Sequence, residues 1–125
     1  MALRLMVIAA GGAVGSLLRY WTSSTVYQFT GTGFPYGTLT VNVLGSLLIG
    51  VLYVVLVERS MFAPEWRAAL LIGLLGAFTT FSTFSLETLN LIEQGALSKA
   101  ALNVVVSVMF CLGATWLGIL GGRQL

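Results

Sequence analysis

Apolar residues fill four long blocks of this chain. Polar residues gather between the blocks or recur inside them at fourth positions. The blocks predict helices over about residues 3–27, 36–57, 65–93 and 98–121, each long enough to cross a bilayer. The second carries Thr38, Asn42 and Ser46, and the fourth carries Asn103, Ser107, Cys111 and Thr115. A spacing of four places each row on one helix face. Asn42 is the costly member, because an amide at bilayer depth needs partners for two donors and an acceptor. Either it bonds a neighbouring helix or its row lines a polar path.

The third block departs from a simple helix. As one helix it would span roughly 45 Å, beyond a hydrocarbon core of ~30 Å. Gly76, Thr79 and Thr80 are poor helix residues in its middle. A break is expected there, in mid-membrane, aiming bare carbonyls at a cavity or cation. Beyond it, Phe81 and Phe84 share a face, either as a packed pair or as a lining. Thr83 and Glu87 are four apart, and Glu87 reads as a solvated residue at the mouth. Gly11 with Gly15, Gly12 with Ser16, and Gly118 with Gly122 have the small-xxx-small spacing of close helix contacts. Tyr20 and Trp21 form an interfacial pair. Arg19 beside them either snorkels to headgroups or gives positive potential to an anion path.

Composition narrows the class. The 125 residues are 58% hydrophobic and 8% charged, so lipid is the expected solvent. There is no His, the acidic residues are all Glu, and Cys111 is the single cysteine. That argues against imidazole catalysis, a Cys/His metal cluster and an internal disulfide. Cys111 is read as a small packing residue. A net charge of +2, scattered along the chain, gives nucleic acid nothing to bind. Four spans put both termini on one side with Arg4, Arg59, Arg67 and Arg123, against Lys99 and Arg19 on the other. This bias is weak, so insertion in both orientations with antiparallel pairing is allowed. Four helices enclose a pore poorly, whereas a dimer brings eight, with polar rows facing. Amides, hydroxyls and the positive edges of phenyl rings suit a small anion held without charge.

Three segments carry a resemblance: Gly11-Gly-Ala-Val-Gly-Ser-Leu-Leu-Arg-Tyr20, Gly37-Thr-Leu-Thr-Val-Asn-Val-Leu-Gly45 and Gly76-Ala-Phe-Thr-Thr-Phe-Ser-Thr-Phe-Ser-Leu-Glu87. In them the chain resembles the Fluc/CrcB family of bacterial fluoride channels over its whole length. The resemblance implies an all-α, four-span inner-membrane protein that assembles as a dual-topology antiparallel homodimer. It implies two pores per dimer, passive fluoride export and a structural Na+ at the centre. By position, the sodium ligands would be the carbonyls of Gly76 and Thr79. Phe81, Phe84 and Asn42 would line the fluoride path, with Ser107 as a fourth-helix hydroxyl. Thr38, Thr83 and Glu87 would form a track leading outward, and Arg19 would stand at the vestibule. Asn103 and Cys111 carry over less directly. Two rivals remain: a small dual-topology multidrug exporter and a purely structural subunit. The exporter requires a first-helix carboxylate, which this chain lacks. The structural subunit has no use for hydroxyl rows.

Overall fold

The computed structural model describes all of residues 1–125 and is helical throughout, without strands. Helix α1 covers Ala2–Thr30, α2 covers Tyr36–Glu58 and α4 covers Leu97–Arg123. The third span, Pro64–Glu93, divides into α3a (residues 64–78) and α3b (Phe81–Glu93). All four spans are long and apolar enough to cross a membrane.

Helix α1 runs a turn past the expected end at about residue 27. It stops at Gly31, whose φ of +73° few other residues adopt and whose N–H bonds the Tyr27 carbonyl at 2.9 Å. Pro64 opens α3a at the first turn, where its missing N–H costs nothing. Two stretches, Val54–Glu58 and Ala68–Leu74, widen to π-type winding. Arg59 N–H accordingly donates to the Val54 carbonyl five residues back, at 2.9 Å.

The interior is assembled from backbone contacts more than from large side chains. Helix α1 crosses α3a where Gly11 and Gly15 lie against the backbone of Ala69 and Leu74. A Cβ on Gly73 would sit 2.6 Å from the Ile8 carbonyl oxygen, so the approach is close from both sides. Helix α2 packs chiefly on α4, where Gly118 meets the Leu47 carbonyl and the Gly50 Cα. Small residues permit this in lipid, where packing replaces hydrophobic collapse between helices. Trp116, Phe110 and Leu117 stay exposed on α4, as lipid-facing residues do.

The ends are tied across the chain. Arg59 donates to the carbonyls of Leu125 (2.6 Å) and Arg123 (2.9 Å), and Arg123 forms a two-point pair with Glu58. The α2–α3a loop and the C-terminus therefore share one end. At the other end, Lys99 Nζ donates to the Gly33 carbonyl at 3.2 Å.

Candidate functional site

Between α3a and α3b the chain is extended at two residues, Thr79 (φ −84°, ψ 159°) and Thr80 (φ −151°, ψ 113°). Thr80 caps α3b, its Oγ1 accepting the Thr83 N–H at 3.2 Å. Thr79 returns its hydroxyl to the Leu75 carbonyl at 2.9 Å. The Thr79 methyl fills the notch left by Gly45 on α2, where a side chain would collide with it.

Asn42 holds the interruption in place. Its Oδ1 accepts the Thr80 N–H at 2.7 Å, and its Nδ2 donates to the Thr80 carbonyl at 3.0 Å. An N–H can only donate, so the amide orientation is fixed by chemistry. This uses one amide proton and leaves a second. The interhelical bond and the path lining, left open from spacing, are thus compatible in one side chain.

The carbonyls of Gly76, Ala77, Phe78 and Thr79 accept no hydrogen bond within the chain. Free carbonyls are ordinary at a helix end in water but costly at membrane depth. Gly76 and Thr79 therefore offer hard oxygen donors of the kind an alkali or alkaline-earth cation takes. They fit the donor type that the resemblance implies for sodium. Two carbonyls supply only part of such a shell.

Asn42, Gly76, Thr79, Phe81, Phe84 and Ser107 line one open concavity of about 440 Å³. The two rings lie 5.4 Å apart, tilted by 39°. Phe81 is 78% exposed and stands on the outer face of the chain. Cys111 lines the same concavity, half-buried. Arg19 lies elsewhere, in a smaller hollow of about 220 Å³ with Thr38, Thr80 and Thr83. Thr80 borders both spaces.

Glu87 departs from its expected place as a solvated mouth residue. It is half-buried, and both carboxylate oxygens accept a neutral donor. Tyr27 Oη–H donates to Oε2 at 2.8 Å, and Thr38 Oγ1 donates to Oε1. The cause is the orientation of α3b, whose Glu87 face turns toward α1 and α2. Thr83, expected on the same track, bonds Thr80 (3.0 Å) and makes no bond to Glu87.

Accounting for protons separates the candidate donors. The Thr38 hydroxyl proton is engaged by Glu87. That of Ser107 goes to Asn103 Oδ1 at 3.3 Å. Asn103 is 2% exposed and passes its own amide proton to Thr88 Oγ1 at 2.9 Å. Thr88 in turn donates to the Phe84 carbonyl at 2.7 Å, linking Ser107 to the backbone of a lining ring. Thr83 accepts from Thr80 and keeps its own proton free. The free donors in this region therefore include the Thr83 hydroxyl, the second Asn42 N–H and the hydroxyl of Ser46, which lines the larger concavity.

Sequence reasoning named Thr80 only as a weak helix residue and did not single out Tyr27 or Thr88. For Thr80 the cap spacing Thr80-x-x-Thr83 was a signal. For Tyr27 and Thr88 only the helix orientations reveal the partnership.

A family model described as "CrcB-like protein, Camphor Resistance (CrcB)" matches residues 6–119. The chain belongs to the CrcB family. Curated relatives are named fluoride-specific ion channel FluC. One CrcB relative, from Shewanella amazonensis, is 56% identical over 113 residues, 90% of each chain. Another, from Geobacter metallireducens, is 50% identical over 123 residues, 98% of this chain and 99% of its own. A third, from Methylococcus capsulatus, is 55% identical over 125 residues. This chain spans all of its own length but 55% of that relative's.

Proposed function

We propose that this CrcB protein is a passive fluoride channel of the bacterial inner membrane that lets the anion leave the cytoplasm. The observation that carries the reading is the concavity where Phe81, Phe84, Asn42 and Ser107 meet without any charged side chain. A phenyl edge is positive and an amide N–H donates, so such a lining attracts an anion without trapping it. The name shared by the curated relatives supports fluoride as that anion.

Fluoride is almost wholly ionised at neutral pH, while HF crosses lipid. In acid surroundings HF enters, dissociates and is trapped. A passive path then empties the anion, aided by an inside-negative potential. Neither catalysis nor fuel is required.

Two antiparallel copies would form the working unit, with two pores and the polar concavities covered at their interface. Gly76 and Thr79 of each copy would then face a central Na+, their carbonyls supplying oxygen ligands. A bound cation there would neutralise the free carbonyl dipoles and fix the break. Arg19, in its own hollow, would raise the local anion concentration.

The test is fluoride-electrode efflux from proteoliposomes, driven by a potassium ionophore, with chloride as control. Rapid fluoride release with retained chloride is the expected result. Vesicles that hold their fluoride refute the function.

A further inference from the structure

We propose that Tyr27 is a positioning residue of the anion path, holding the Glu87 carboxylate against α1 and α2 so that its charge stays clear of the lining. The inference rests on the channel reading above and adds a residue that reading did not use.

Three contacts seat Tyr27. Its ring packs against Gly37, where a Cβ would come within 2.8 Å of the ring Cζ. Its hydroxyl accepts the Thr38 N–H at 3.5 Å and donates to Glu87 Oε2 at 2.8 Å. Thr38 Oγ1 takes the other carboxylate oxygen. One donor from α1 and one from α2 thus fix both oxygens, and neither donor carries a charge. Hydrogen bonds to a charged group are among the stronger ones, so the arrangement defines a single position.

The consequence of releasing that position follows from helix geometry. Glu87 lies three residues after Phe84 and four after Thr83, on the same face of α3b. Side chains on a helix lean toward its N-terminus, so a freed Glu87 points back at these two. There it would accept the free Thr83 proton and place a negative charge beside the lining rings. Both effects oppose an incoming anion. Tyr27 therefore acts through Glu87 and has no need to touch the ion.

The experiment is a double-mutant cycle on the full chain in proteoliposomes. Tyr27→Phe keeps the ring over Gly37 and removes the donor. Fluoride efflux should fall about tenfold, the scale of one lost hydrogen bond to a charged group. In the E87Q background the same substitution should cost less than about twofold, since no charge is left to release. Efflux at the wild-type rate in Y27F overturns the proposal. So does an equal loss in both backgrounds, which is what a purely packing role gives. If Y27F fails to melt as a folded protein, T38V withdraws the other proton and enters the same cycle with the same outcomes. A wild-type protein that passes no fluoride counts against the channel reading instead.

Discussion

Replacing Asn42 with Ala removes two hydrogen bonds from a single backbone unit. Thr80 is a buried residue, and its N–H and carbonyl have Asn42 as their partner. Each group left without one costs about 1–3 kcal/mol, so the pair bounds the effect at about 2–6 kcal/mol. The adjoining concavity of about 440 Å³ can admit water, which places the expected loss at the lower end, about 2–3 kcal/mol. Two measurements on the same protein check this: thermal unfolding in detergent and fluoride efflux after reconstitution. N42A should melt earlier and conduct less. N42D should keep the Oδ1 bond to Thr80 N–H, lose less stability, and still conduct poorly because it brings a negative charge. An N42A protein with unchanged melting and unchanged efflux would refute the account of both the clamp and the lining. Loss of efflux with full stability would refute the clamp alone.

Phe81→Ile and Phe84→Ile should each lower fluoride efflux at least about tenfold without unfolding the protein, because they remove a polarised ring edge and keep apolar bulk; gel filtration and efflux together check this. Gly15→Val should destabilise the fold by about 1–3 kcal/mol, since a Cβ there already lies 2.9 Å from the Leu74 carbonyl carbon and α1 must retreat from α3a. A melting temperature equal to wild type would contradict it. Exchange of Na+ for N-methylglucamine in every buffer should lower the melting temperature if the Gly76 and Thr79 carbonyls hold the cation. The same melting in both salts would count against the sodium proposal.

Hydropathy and spacing made the helices legible, because bilayer thickness and backbone satisfaction leave few alternatives for such apolar blocks. The weak helix residues around Gly76 to Thr80 marked the region in which Thr79 and Thr80 are extended. Glycine pairs likewise pointed to α1 and α4 as close-packing helices, and Gly11, Gly15 and Gly118 lie in such contacts. The partnerships were hidden. In a soluble protein the apolar stripe of a helix reveals its inward face. Here α1 and α4 also carry apolar residues on the faces turned to lipid, so no apolar stripe marks the inward face, and their orientation is set by where backbone meets glycine. Hence nothing in the spacing told that Glu87 turns toward Tyr27 and Thr38, or that Ser107 gives its proton to Asn103. Row periodicity identifies residues that share a face, but not whether their protons remain free for a ligand.

The exposure of Phe81 is not by itself a reason to expect a partner, because a phenyl ring is at home in lipid. The argument lies in what surrounds it. The free carbonyls of Gly76 and Thr79 and the second Asn42 N–H belong to residues that line the same concavity. Each such group facing hydrocarbon costs several kcal/mol. Water alone would satisfy them only by leaving a wet face against acyl chains. The proposed second, inverted copy would remove the difficulty, since it would cover the face with an identical polar surface and a shared cation could take the Gly76 and Thr79 carbonyls. The remaining donors are then few and neutral, so an anion gains enough to shed part of its water and not enough to stay. A cross-linked or native-mass measurement that finds only monomers while fluoride efflux persists would break this chain of reasoning, because the unbonded carbonyls of Gly76 and Thr79 on the concavity would then need some other partner.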